Sequence, residues 1–149
     1  MPGKRLRKGR WAKTRRTPCA APTRGRSTKV GALFDTNILI DHLNGIPQAR
    51  EEIERFESRA ISIITWMEVM IGASADLAEP TRLFLEGFTV IALDDEIASR
   101  AVELRRAHRI KLPDAVIWAT AQTAGRLLVT RNTKDFPPGD PGVREPYIL

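Results

Sequence analysis

Four acidic residues are the part of this sequence best suited to chemistry: Asp35, Glu68, Asp114 and Asp135. The first and last follow short uncharged apolar segments that have the length of buried strands. The middle two lie at the beginning of helical patterns, where the helix dipole favours an acid. Thr65-x-x-Glu68 has the spacing of a capping box, and aspartate often caps turns. Each acid taken singly therefore has a structural explanation.

The segments around these acids alternate between strand and helix patterns. Strands are predicted at residues 30–34, 60–64, 88–93 and 127–129, with a further edge strand at 147–149. This alternation is typical of the α/β class and predicts a single domain with a mostly parallel four- or five-stranded sheet and helices on both faces. In such sheets ligands bind beyond the carboxyl ends of the strands. The four acids are expected to meet at that edge.

Four carboxylates at one edge would repel each other unless a cation offsets their charge. Oxygen ligands suit hard divalent cations, and Mg²⁺ characteristically uses one or two protein carboxylates while keeping several waters. Such an ion can activate water and shield a phosphodiester. The set of acids therefore indicates metal-assisted hydrolysis, although no single member does.

No rival catalytic set is visible in the sequence. It contains neither a Gly-rich phosphate loop nor a Gly-x-Ser-x-Gly motif. His42 and His108 fall on predicted helix surfaces among charged residues, where we expect both to be solvated. Trp66 and Trp118 are expected in the core or an interface. The single cysteine, Cys19, has no evident partner and fits a reducing compartment, so we expect a cytoplasmic protein.

The charge of the chain is unevenly distributed. Residues 1–29 hold eleven Lys and Arg and no acid, whereas residues 30–149 hold 13 basic and 18 acidic residues, a net charge of −5. We expect residues 1–29 to be a disordered basic extension. Three interpretations stay open: an arm that binds phosphates, a transit peptide, or non-native sequence ahead of a true start near Val30. Neither a membrane span nor a signal peptide is visible.

Four segments of the sequence resemble the signature blocks of PIN-domain nucleases, and most closely the VapC-type toxins of bacterial type II toxin–antitoxin pairs: Leu33–Ile40, Ser62–Glu68, Leu112–Ala121 and Val129–Phe136. The resemblance covers residues 30–149 and implies a PIN-like domain there. It also implies an endoribonuclease that depends on Mg²⁺ or Mn²⁺. Its partners would be an RNA substrate, a cognate antitoxin and a second copy of the chain in a homodimer.

The resemblance also implies roles for individual residues. Asp35 and Asp114 would be the main metal ligands, and Glu68 would complete the acidic pocket. The final acid of the family pattern falls at the position of either Asn132 or Asp135. Because Asn132 is an amide, Asp135 is the candidate here. Asn37, Thr130 and Asn132 would support the site. Arg131 and Lys134 flank it and would either hold RNA phosphates or be ordinary surface charges.

Two other functions compete with the nuclease. A phospho-signalling receiver or phosphatase-like domain also gathers acids at strand ends, but such a phosphatase usually has a second Asp where Asn37 stands. The other is a catalytically silent PIN module that only binds RNA. Detection of an aspartyl-phosphate would identify the first alternative, and a nuclease assay would identify the second.

Overall fold

The structure is a computed structural model that describes residues 30–137 and 139–149. The expected disordered extension at residues 1–29, with its three interpretations, lies outside the described residues. In the part that is described, no helix is long and apolar enough to span a membrane.

Five strands form one sheet in which every neighbouring pair is parallel, in the order β3-β2-β1-β4-β5. The predicted α/β class with a parallel sheet is confirmed. The strands are short: β1 Ala32–Phe34, β2 Arg59–Ser62, β3 Thr89–Ile91, β4 Leu127–Val129 and β5 Val143–Arg144. The order of the chain across the sheet reverses at β1, because β2 and β4 lie on either side of it.

Six α-helices connect the strands: α1 Thr36–Leu43, α2 Pro47–Arg55, α3 Ile63–Gly72, α4 Ala78–Leu85, α5 Asp95–His108 and α6 Leu112–Thr123. A short 3₁₀-helix, Ala75–Leu77, precedes α4. Their ends follow from the sequence. Pro47 begins α2 at a position where its missing N–H costs nothing. The Asp94 side chain accepts a hydrogen bond from Ile97 N at 2.8 Å and so caps α5.

Alternate residues of the strands pack into two separate cores, one on each face of the sheet. Leu33 of β1 and Leu128 of β4 pack with buried residues of α5 and α6. Phe34 and Val129, the next residue along each strand, pack with buried residues of α1, α3 and α4. This two-residue period shows that β1 and β4 are covered on both faces, as their uncharged sequences predicted.

Four predicted strands differ from those observed. The strands expected at residues 30–34 and 88–93 are shorter, at Ala32–Phe34 and Thr89–Ile91. The strand expected at residues 60–64 ends at Ser62, because the Ser62 side chain accepts a hydrogen bond from Ile64 N at 3.1 Å and begins α3. The edge strand expected at 147–149 is not formed, and β5 lies at Val143–Arg144 instead. Tyr147 makes a side-chain hydrogen bond rather than a strand contact, donating to Asp41 at 2.8 Å.

The expectation that both histidines are solvated is wrong for His42. Its ring stacks on Phe84 with centroids 4.6 Å apart, and its Nδ1 is buried without a hydrogen-bond partner among the described residues. Burial, and then the charge of Arg50, lower the pKa of His42. His108 is exposed, as predicted, and Trp118 is buried in the core.

Candidate active site

Asp35 lies at the carboxyl end of β1, beside the point where the strand order reverses. Its side chain is only 4% exposed. One carboxylate oxygen accepts a hydrogen bond from Thr36 N at 2.7 Å, which caps α1. The other accepts from Thr130 Oγ1 at 2.7 Å and from Asn37 Nδ2 at 3.1 Å. Residues that follow β1 and β4 therefore hold the same carboxylate.

Glu68 lies in the second turn of α3 and does not cap that helix. The capping box predicted from Thr65-x-x-Glu68 is not formed, because Ser62 is the N-cap and Thr65 is buried within the helix. Thr36 Oγ1 instead donates to Glu68 Oε2 at 2.7 Å. The end of β1 thus contacts Glu68 through Thr36, which sequence analysis did not include among the site residues. Its position directly after Asp35 is the sequence feature that could have pointed to it.

Asp114 lies in the first turn of α6 and is about half-buried. Its carboxylate has no hydrogen-bond partner in residues 30–137 or 139–149. Burial raises the pKa of Asp114 to about 6, and the charges of Asp35, Asp135 and Glu68 act in the same direction. Asp114 therefore faces all three of the other predicted acids.

Burial also raises the pKa of Asp35 above its ordinary value, and the charge of Glu68 adds to this effect. The hydrogen bonds from Thr130, Thr36 and Asn37 oppose the shift but do not cancel it. Two of the four acids are thus harder to ionise than free carboxyl groups, mainly because they are buried and in addition because other acids lie near them. We call Asp35, Glu68, Asp114 and Asp135 the acidic pocket.

The structure places both candidates for the last position of the family pattern at the acidic pocket. Asn132 Nδ2 donates to Asp135 Oδ2 at 2.6 Å, and Asn132 N donates to Thr130 Oγ1 at 3.0 Å. The Asn132 side chain therefore contacts the Asp135 carboxylate directly. The hydroxyl of Thr130 links this loop to Asp35.

Arg131 does not present a free guanidinium to a substrate. Its Nη2 donates to Asp41 Oδ1 at 2.9 Å, and its Nε donates to Asp41 Oδ2. Tyr147 also donates to Asp41, and the guanidinium carbon lies 6.0 Å from the centre of the Tyr147 ring. We call this set the Asp41 clamp. Lys134, by contrast, is exposed and has no ion pair in the part of the chain that the structure describes.

The donor set of the acidic pocket fits a hard divalent cation. It offers carboxylate oxygens only, and the unpartnered Asp114 carboxylate faces three further acids. Among the described residues no three acids are already spaced to enclose a metal ion. Carboxylate oxygens are the kind of ligand that hard divalent cations accept in proteins.

Comparison with known proteins identifies the family. Residues 32–137 match the model of the PIN domain. Ribonuclease VapC10 of Mycobacterium tuberculosis is 36% identical over 114 residues, which cover 70% of this chain and 85% of that protein.

Two solved structures support the same assignment. A chain of a toxin–antitoxin complex from Klebsiella pneumoniae has 50% identity and a TM-score of 0.76, and the match covers 80% of this chain and all of that one. DNA-bound VapBC from Salmonella typhimurium gives 27% identity and a TM-score of 0.64, covering 78% of this chain and 96% of that one. This chain belongs to the PIN-domain family and, within it, to the VapC group.

Proposed function

We propose that this protein is the ribonuclease toxin of a toxin–antitoxin pair and hydrolyses RNA phosphodiesters at the acidic pocket with Mg²⁺ or Mn²⁺. Support for the activity comes from the 36% identical relative, which is named a ribonuclease. Support for an antitoxin partner comes from the 50% identical chain, which was solved as part of a toxin–antitoxin complex. The family assignment also argues against the phospho-signalling alternative.

The observation that carries the proposal is the convergence of four acids from four different elements. Asp35 follows β1, Glu68 lies in α3, Asp114 begins α6 and Asp135 follows β4. Folding alone does not require this convergence, because like charges in a half-buried pocket destabilise the folded protein. A bound divalent cation offsets that repulsion, and this requirement connects the geometry to metal-assisted hydrolysis.

The residues of the pocket have separable roles. Asp35 and Asp114 would hold the cation and Glu68 would complete its surroundings. When bound, the cation supplies positive charge that activates water and offsets the charge of the phosphodiester. Thr130 and Asn37 orient Asp35 through hydrogen bonds of 2.7 and 3.1 Å. Thr36 and Asn132 orient Glu68 and Asp135 in the same way.

Cleavage of total RNA by the purified protein tests the proposal. We expect cleavage with Mg²⁺ or Mn²⁺, none with chelator, and a loss of at least 100-fold in the Asp35→Asn variant. Asp76→Asn, which changes an exposed acid outside the pocket, is the matched control and should cleave at the parental rate.

Two results would contradict the proposal. RNA binding without cleavage under any divalent metal would identify a silent RNA-binding module. Cleavage that persists in the Asp35→Asn variant would place the active site elsewhere or reveal a contaminating nuclease. Addition of the antitoxin should abolish cleavage, and an antitoxin that forms a complex without inhibiting would contradict the toxin assignment.

A further inference from the structure

We infer that the connection between α5 and α6 is the phosphate-binding surface that leads RNA to the acidic pocket. This inference rests on the proposed ribonuclease function. The surface consists of Arg105, Arg106, Arg109 and Lys111, and we call it the basic turn. Its ligand is the sugar–phosphate backbone of single-stranded RNA, bound by charge rather than by sequence.

The basic turn concentrates positive charge in an acidic domain. Residues 30–149 carry a net charge of −5, yet four of their 13 bases lie within residues 105–111, and no acid occurs between Glu103 and Asp114. Six other arginines of this domain are held in ion pairs with acids: Arg50, Arg55, Arg82, Arg100, Arg131 and Arg144. Within the described residues, none of the four bases of the basic turn has such a partner, and Arg59, Arg126 and Lys134 are the other bases without one.

The basic turn lies at the end of the α5–α6 pair that holds the acidic pocket. Lys111 is the residue immediately before α6, and Asp114 lies in the first turn of that helix. At the opposite end of the pair, Arg100 of α5 donates to Gln122 of α6 at 2.6 Å. RNA that crosses the basic turn therefore approaches Asp114 directly.

The backbone of the turn is fixed while its charges stay exposed. Ile110 is buried in the core, and Arg105 Nη1 donates to the Ile110 carbonyl at 3.2 Å. Arg109 N donates to the Arg105 carbonyl at 2.8 Å and ends α5. Arg106, Arg109 and Lys111 are exposed on this support. The turn therefore presents three exposed cations on a fixed backbone.

Arg109 is the strongest sign that the charge serves binding. It has φ of 55° and is the one non-glycine residue with positive φ among the described residues. Glycine is the favoured residue in this conformation at the end of a helix. A cation elsewhere in the last turn would satisfy the helix dipole equally well. Arg109 therefore carries a backbone cost that glycine at this position would avoid.

The acidic pocket creates the need for such a surface. A polyanion that approaches four carboxylates is repelled, and Arg131 is committed to the Asp41 clamp. Cations beside the pocket offset this repulsion and hold neighbouring phosphates of the strand. Binding of this type releases counterions, so its strength falls with salt.

Binding of a short single-stranded RNA to the full chain, measured in chelator over a series of salt concentrations, tests the inference. Arg109→Gly should weaken binding and reduce the slope of log K against log salt by about 0.7, the value for one phosphate contact on a single strand. The double variant Arg109→Gly, Lys111→Gln should reduce it by about 1.4. Arg109→Lys, which keeps the charge, should bind like the parent.

Arg109→Gly should weaken RNA binding without weakening the fold. Because glycine relieves the left-handed backbone, Arg109→Gly should leave the melting temperature unchanged or raise it by about 1–4 °C. Loss of RNA binding in a protein that is at least as stable as the parent cannot be attributed to unfolding. Arg100→Gln is the control for charge, because it removes one exposed cation at the far end of the same helix pair. It should leave the slope unchanged.

The inference is overturned if Arg109→Gly and the double variant keep the parental slope, or if Arg100→Gln reduces the slope as much as Arg109→Gly does. A parent that does not bind RNA in chelator would also overturn it. Failure of the proposed function is distinguishable, because the parent would then lack metal-dependent cleavage whatever its RNA affinity. If the inference is right, the KM for RNA should rise in Arg109→Gly by a larger factor than kcat changes.

Discussion

Asp114 is the residue at which the structural and catalytic interpretations of the acids give opposite results. If it only complemented the dipole of α6, Asp114→Asn would cost about 0.3–1 kcal/mol of stability and leave cleavage intact. In the acidic pocket, the substitution removes repulsion. We therefore expect the metal-free variant to be at least as stable as the parent, and cleavage to fall by orders of magnitude.

The measurement is thermal unfolding with and without Mg²⁺ or Mn²⁺, beside the RNA cleavage assay. The parent should melt at a higher temperature in the metal, because a ligand stabilises only the state that binds it. Asp114→Asn should lose that increase, and Asp76→Asn should keep it. A variant that retains both the metal-induced increase and near-parental cleavage would remove Asp114 from the site.

The raised pKa of Asp114 also predicts how stability depends on pH in chelator. Burial and the neighbouring acids raise this pKa from 3.8 to about 6, so the folded protein keeps a proton that the unfolded chain has lost. The resulting stability is complete below about pH 3.8 and is lost as pH rises through about 6. We expect urea titrations between pH 4 and about 7 to show the parent losing stability relative to Asp114→Asn. A constant difference would contradict the raised pKa of Asp114.

The acids could be predicted from sequence because each lies next to a recognisable strand or helix start. The residues that orient them could not all be predicted, because their partners are distant in the chain. Thr36 contacts Glu68 across 32 residues, and Tyr147 contacts Asp41 across 106. No local pattern specifies such pairs. For the same reason the sequence left Arg131 open between an RNA contact and an ordinary surface charge, since its partner Asp41 precedes it by 90 residues.

At the scale of elements, alternation of strands and helices was enough to predict the parallel sheet, whereas element boundaries depended on single side chains. Residues 60–64 are all apolar or small, so nothing in their hydrophobicity marked Ser62 as the N-cap of α3. The edge strand was misplaced because Tyr147 looked like a strand residue. Its hydroxyl is instead held by a buried carboxylate.

The Asp41 clamp joins three elements at the acidic pocket and gives a prediction at this scale. Arg131 N also donates to Asn37 Oδ1 at 3.3 Å, so the clamp fixes the loop after β4 against the start of α1. In Arg131→Met the buried Asp41 loses its cationic partner, which should cost about 1–3 kcal/mol. We also expect kcat to fall with little change in KM, because Thr130 and Asn37 would no longer hold Asp35 firmly.

Urea unfolding and steady-state kinetics check this prediction. Arg82→Met breaks an exposed ion pair with Glu79 and is the control, with an expected change within about 0.5 kcal/mol. Arg131→Lys should recover part of both losses, because it restores charge without the paired hydrogen bonds of the guanidinium. An Arg131→Met protein that is destabilised but has parental kcat would make the clamp purely structural.

At the scale of the whole molecule, α3 carries more apolar surface than its own domain covers. Val69 is buried, and Trp66 and Met70 pack partly against the core. Met67 and Ile71, which are four residues apart and hence on one face of the helix, are 41% and 83% exposed. Residues 66–71 include more apolar side chains than one helix face can bury, and Met67 and Ile71 are the ones left exposed.

This exposed face leads to the prediction of a homodimer that Ile71 helps to hold together. Light scattering at micromolar concentration should give twice the mass of one chain for the parent. Ile71→Glu places a charge at a site that is exposed in the single chain, so the free energy of unfolding should change by less than about 0.5 kcal/mol. In a dimer the same charge would be buried without a partner, and the mass should fall to that of one chain. Leu83→Glu, a matched change at an exposed leucine of α4, should leave the dimer intact. A parent that is monomeric, or an Ile71→Glu protein that still dimerises, would show that this face of α3 does not form a dimer interface.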